Sequence, residues 1–103
     1  RMAQWQAEGK PVFVDFTAAW CVTCQFNKKT VLADAALLND MRARGLVLAR
    51  ADWTRRDPAV TQALSALGRN GVPVYAIYRQ GAAPVVMSEL LSAAEVRAAL
   101  APL

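Results

Sequence analysis

Pro11-Val12-Phe13-Val14-Asp15-Phe16-Thr17 is the stretch that most limits the fold of this chain. Its almost unbroken apolar run predicts a strand buried on both faces, as in a parallel sheet. The run leads to Trp20-Cys21-Val22-Thr23-Cys24, which holds the only two cysteines present. A helix is predicted from Cys24 to about Asn27 or Thr30. Two thiols two residues apart, where a strand passes into a helix, form either a redox pair or a metal clamp.

The other elements follow from caps and turn residues. Met2 to Glu8 predicts a short helix that packs through Trp5 and ends at Gly9. Asp34 can cap a second stretch, with Ala36, Leu37, Asp40, Met41 and Arg44 at helical spacing and Gly45 as its stop. Leu46 to Trp53 predicts a second strand, apolar but for Arg50 and Asp52. Asp57-Pro58 pairs a capping side chain with proline at the first helical position. That helix turns Val60, Ala63, Leu64 and Leu67 to one face and closes at Gly68.

Gly71-Val72-Pro73 leads into a third strand, Val74 to Tyr78. Gln80-Gly81 turns the chain into a fourth, Pro84 to Ser88. Ser92-Ala93-Ala94-Glu95 is a capping box opening a last helix, with Val96, Ala99 and Leu100 inward. The predicted order is α, β, α, β, α, β, β, α. The first two strands, joined through a helix, should be parallel with a right-handed crossover, and the last two antiparallel. The expectation is an α/β fold in one domain spanning 1–103, a four-stranded mixed sheet flanked by helices on both faces.

Composition narrows the chemistry. The 103 residues carry a net charge of +4, with the basic residues scattered rather than gathered into a patch with interleaved aromatics. That argues for a solvated surface and against a nucleic-acid face. No histidine is present, which removes Cys/His zinc sites and histidine-activated nucleophiles. No apolar run approaches the roughly 20 residues of a membrane helix. The chain begins at Arg1 rather than methionine, so a fragment of a longer protein is expected.

A helix N-terminus favours negative charge, so a thiolate at Cys21 would be stabilised and reactive. Cys24, one turn on, would face inward. Cys21 would then attack a partner disulfide, and Cys24 would resolve the mixed disulfide. Asp15, six residues before Cys21, could lie beneath the pair with its pKa raised by burial, and take the proton from Cys24. The competing reading has Asp15 capping a backbone N–H or pairing with Arg50 on the neighbouring strand. Proline makes a cis Val72–Pro73 bond plausible, and beside the cysteines it would present the Val72 backbone to an extended substrate. An ordinary trans bond is the plainer reading. The metal alternative is weaker. One Cys-x-x-Cys supplies two of the four ligands of structural zinc; Cu(I) can take two soft ligands, and Met41 or Met87 could assist, though neither is near the pair in sequence.

Val14-Asp15-Phe16, Ala19-Trp20-Cys21-x-x-Cys24 and the distant Gly71-Val72-Pro73 together resemble the thioredoxin fold and its redox site. Within that superfamily, Cys21 to Lys28 and Ala51 to Pro58 resemble the C-terminal periplasmic domains of the DsbD family, thiol:disulfide interchange proteins, with ScsB-type relatives similar. The resemblance implies Cys21 as nucleophile, Cys24 as resolving thiol, Asp15 as buried carboxylate and Pro73 as cis-proline. Trp20, Val72 and Pro73 would meet the substrate, with Trp20 packing beside Cys21 and shielding the disulfide.

The resemblance also implies a periplasmic domain tethered to the bacterial inner membrane. Its electron donor would be a membrane-embedded thiol domain and its acceptor a periplasmic thiol–disulfide protein. No cofactor beyond the Cys21–Cys24 disulfide and no metal is expected, and the isolated domain should be a monomer. Two departures stand out. Val22-Thr23 replaces thioredoxin's Gly-Pro, and Lys28 stands where some DsbD domains carry an acid that holds the thiol pKa high. A cation there favours the thiolate. The alternatives are a free thioredoxin-like reductase of cytochrome maturation or the cytoplasm, and a copper- or client-binding module without turnover.

Overall fold

In the computed structural model, which describes residues 7–102, the apolar run becomes strand β1, Val12–Thr17, buried at every position. Successive side chains alternate across the sheet. Val12, Val14 and Phe16 face one side, and Phe13, Asp15 and Thr17 the other. The expected helix over Met2 to Glu8, with Trp5, lies outside the described residues except at its last two positions.

After β1 come helix α1 (Val22–Lys29), a single 3₁₀ turn (Val31–Ala33), helix α2 (Ala35–Ala43) and strand β2 (Val47–Asp52). Helix α3 (Pro58–Ala66), strands β3 (Val74–Tyr78) and β4 (Val85–Val86) and helix α4 (Ala93–Leu100) complete the order. The sheet runs β2-β1-β3-β4. β1 pairs parallel with β2 and antiparallel with β3, and β3 pairs antiparallel with β4. The four-stranded mixed sheet expected from the sequence is therefore present.

Two cores form, one on each face. Phe13, Tyr75 and Ile77 pack against Leu37 and Met41 of α2 and Val96 and Leu100 of α4. Val12, Val14, Phe16 and Ala76 pack against Leu64 of α3, with Val60, Ala63 and Leu67 at the margin. The second core contains half of β2 as well. Val47, Ala49 and Ala51 are half-buried there, while Leu48, Arg50 and Asp52 are exposed on the other face. β2 is thus an edge strand with alternating burial, unlike the central β1.

The expected caps are in place, with one change. Asp34 Oδ1 accepts from Leu37 N–H at 3.1 Å, and Asp57 Oδ1 from Ala59 N–H at 2.8 Å. Gly45 and Gly68, both at φ +75°, take the left-handed turn that ends a helix. Ser92 Oγ accepts from Glu95 N–H at 3.1 Å. The Glu95 carboxylate does not complete the reciprocal box; it accepts from Ser88 N–H and Oγ–H, each at 2.8 Å. That holds the chain after β4 against α4. β4 itself is shorter than expected, because Pro84 has no N–H to give a ladder. Met87 N–H still reaches Tyr75 O at 2.9 Å. Among the described residues, no helix is long and apolar enough to cross a membrane.

Candidate active site

Helix α1 begins two residues earlier than expected, and the reason is Cys21. It sits at the N-cap in extended backbone, and its Sγ accepts from Cys24 N–H at 3.1 Å. A cap of this kind satisfies one of the free N–H groups that open a helix. Cys21 and Cys24 are joined as a disulfide, with Cα atoms 5.2 Å apart. Cys21 is 7% exposed and Cys24 1%. The outer and inner positions read from the sequence are therefore those in the fold.

The loop before Cys21 is clamped from β2. Ala19 N–H donates to Thr54 Oγ1 at 2.8 Å, and the Trp20 indole N–H donates to Thr54 O at 3.0 Å. Thr54 is itself held by Asp52, whose Oδ1 accepts from Thr54 N–H at 2.9 Å and from its hydroxyl. Those bonds hold the Asp52 carboxyl below its usual pKa. Trp20 is half exposed and its ring lies 5.9 Å from that of Trp53. Trp53 is anchored to α3 by its indole N–H, 2.8 Å from Thr61 Oγ1.

On the opposite side, Val72 packs against Ala18, Cys21 and Cys24. The Val72–Pro73 peptide is cis, and Pro73 is buried. The structure thus brings Cys21, Cys24, Trp20 and Val72-Pro73 to one end of the sheet. Met41 and Met87, weighed as helpers for Cu(I), lie instead in the core around Phe13 and Tyr75, apart from the cysteines. Among the described residues, no group of three or more Cys, Asp or Glu could hold a metal.

Asp15 is buried on the face of β1 that lies under α1. Its partner across the ladder, Tyr75, is reached by Asn27 of α1, which fixes that face. The structure shows the burial that one sequence reading of Asp15 requires and the Arg50 neighbour that the other names. Arg50, opposite it on β2, brings Nε to 3.6 Å from Oδ2. Oδ1 is buried with no hydrogen-bond partner among the described residues, as is Thr17 Oγ1 two residues on. Burial holds the Asp15 carboxyl above its usual pKa, and the charges of Arg50 and Lys28 pull it part of the way back. Arg50 is well exposed, so its pull is screened.

Lys28 lines a cavity of about 250 Å³ with Thr17, Gln25, Arg50, Asp52 and Thr54. Its charge acts on Asp15 and Asp52.

Sequence reasoning missed Asn27, which is fully buried on α1. Its Nδ2 donates to Tyr75 Oη at 2.9 Å and to Glu89 O at 2.8 Å, and its Oδ1 accepts from Leu91 N–H at 3.3 Å. Burial pushes the Tyr75 phenol up to about 12. The available signal was position: Asn27 falls three residues after Cys24, on the same inward face of the helix. The roles of Thr54 and Trp53 had no local signal, since both act on the Trp20 loop from far along the chain.

The family described as thioredoxin-like matches residues 1–80. The chain is 35% identical over 85 residues to the thiol:disulfide interchange protein DsbD of Vibrio cholerae, covering 82% of this chain and 14% of that protein. It is 30% identical over 80 residues to the thiol:disulfide interchange protein DsbD 1 of Pseudomonas aeruginosa, covering 78% of this chain and 13% of that protein. The chain therefore spans about a seventh of the length of these relatives.

Among solved structures, it is similar to the reduced DsbD C-terminal domain of Neisseria meningitidis. The TM-score is 0.76 at 20% identity, over 95% of this chain and 85% of that one. A thioredoxin from Thermus thermophilus matches with TM-score 0.75 at 22% identity, over 96% and 77%. These two likenesses carry the fold. The chain belongs to the thioredoxin-like family and is similar to the thiol:disulfide interchange protein DsbD, with the Cys21–Cys24 pair at the centre of its site.

Proposed function

We propose that this domain is a thiol–disulfide reductant of the bacterial periplasm. It takes two electrons from a membrane-embedded thiol domain and passes them to a periplasmic thiol–disulfide protein. The observation that carries the reading is the Cys21–Cys24 disulfide at the start of α1, with Cys21 as the outer cysteine capping the helix and Cys24 buried behind it. The names of the DsbD relatives supply thiol:disulfide interchange; the direction of exchange and the membrane setting come from the resemblance read in the sequence.

In the reduced domain, the Cys21 thiolate is favoured by the free N–H groups at the helix start. It attacks one sulfur of the partner's disulfide, and the other partner sulfur leaves as a thiolate. Cys24 then loses its proton and attacks Cys21. The internal disulfide re-forms and the partner leaves as a dithiol. Asp15, buried with a raised pKa and one free oxygen, is the base for Cys24. Trp20 and the Val72-Pro73 backbone flank the incoming chain. Exposed Trp20, Val22 and Phe26 give the partner apolar surface to cover.

Two measurements test this. The domain should reduce insulin disulfides when supplied with a reductant, and Cys21→Ser should abolish that activity; unchanged activity sinks the reading. The Cys21–Cys24 reduction potential should lie near the roughly −270 mV of thioredoxin, whereas a value near −120 mV would make the domain an oxidant.

A further inference from the structure

Among the described residues, Arg56 is the one residue other than glycine with a left-handed backbone, at φ +53°. Asn and Asp adopt that conformation far more readily than a long side chain does. Such an outlier points to a use. The turn is closed by Arg56 N–H donating to Trp53 O at 2.9 Å. Its effect is to lay the guanidinium over two indoles at once. Cζ sits 5.1 Å from the Trp20 ring centre and 4.6 Å from that of Trp53. The residue is exposed, and among the described residues none of the ion pairs involves it. Its neighbour Asp57 is occupied in capping α3.

A guanidinium stacked on aromatic faces keeps the N–H groups of its edge available, and that edge matches a carboxylate in two-point geometry. Stacking also removes rotamer freedom that binding would otherwise have to remove. Trp20 immediately precedes Cys21, so the fixed edge stands beside the thiol that meets the partner. We propose that Arg56 is a preorganised carboxylate receptor that selects partners with an Asp or Glu beside the attacked cysteine. This makes it a specificity-determining residue and rests on the thiol–disulfide exchange reading above.

The test uses the whole chain, reduced to the dithiol and freed of reductant, in single turnover. The domain's two thiols give two electrons and two protons, its disulfide forms, and one peptide disulfide becomes two thiols. Two cyclic peptide disulfides serve as probes, identical except for Glu or Gln beside each cysteine. At low salt the native chain should oxidise about tenfold faster with the Glu peptide, the size of one charge-assisted hydrogen bond. Arg56→Asn, chosen because Asn accepts the left-handed turn, should bring the ratio close to one, while Arg55→Gln should leave it near tenfold.

A native ratio near one overturns the proposal. So does an equal loss in both variants, which would make the preference a diffuse basic field. Equal slowing of both peptides by Arg56→Asn with the ratio intact would make Arg56 only a support for Trp20, and would overturn it too. If the native chain oxidises with neither peptide nor with neutral hydroxyethyl disulfide, the exchange reading itself falls and takes the receptor with it.

Discussion

Asn27 Nδ2 lies 2.9 Å from Tyr75 Oη, which ties the helix that carries both cysteines to the strand beside Asp15. Its second donor and its oxygen hold Glu89 and Leu91 in the chain before α4. Asn27→Leu keeps the branching of the side chain, though it is bulkier, and strands the Tyr75 hydroxyl, the Glu89 carbonyl and the Leu91 N–H. At about 1–3 kcal/mol for each buried group left unpaired, the loss should be about 3 kcal/mol or more. Tyr75→Phe removes one acceptor and should cost about 1 kcal/mol. Urea unfolding compares them; equal losses would refute a hub at Asn27.

The two cysteines should separate cleanly in trapping. Cys24→Ser should accumulate a mixed disulfide with the partner through Cys21, because nothing remains to resolve it. Cys21→Ser should trap nothing. Mass spectrometry of the adducts decides, and trapping through Cys24 in the Cys21→Ser chain would reverse the two roles.

Asp15→Asn should slow resolution by roughly ten- to a thousandfold, about the range of general acid–base contributions or a little below. It should also change stability with a definite sign. Burial raises the folded-state pKa of Asp15, so the folded chain holds that proton more tightly than the unfolded one. The resulting stabilisation is complete below the unfolded value of about 3.9 and is lost as pH rises through the folded value. Asp15→Asn should therefore melt higher than its parent at neutral pH, with the gap closing toward pH 3.5. A variant melting lower at neutral pH would mean that the Arg50 pairing outweighs burial.

Lys28→Glu places an anion where a cation now acts on Asp15. Asp15 should hold its proton to higher pH, and the Cys21 thiolate about two turns away should be less favoured. The pH midpoint of Cys21 alkylation in the reduced domain should move upward. No movement would confine Lys28 to the cavity with Asp52.

What could be read before folding was whatever the chain expresses locally. The β1 run, Asp57-Pro58 and the Cys-x-x-Cys spacing each announce themselves within a few residues, and each stands where expected. The site's supports do not. Thr54 matters because it receives the Trp20 loop, and Arg50, though named from the sequence as a candidate partner for Asp15, meets it only because register sets the two opposite. Both are consequences of pairing β1 with β2. Glu95 shows the same limit at small scale, since its local motif called for Ser92 N–H and the fold offered Ser88 instead.

Arg50 stands on β2, at the border of the sheet, where among the described residues the outer backbone groups of the strand have no neighbouring strand. Exposed charges on such a strand deter two sheets from joining edge to edge. Arg50 therefore guards solubility as well as facing Asp15. Replacing it with an uncharged residue to free Asp15 would also leave the border stickier. Light scattering belongs beside any rate measured on such a variant, because loss of protein to aggregates would look like loss of a proton acceptor.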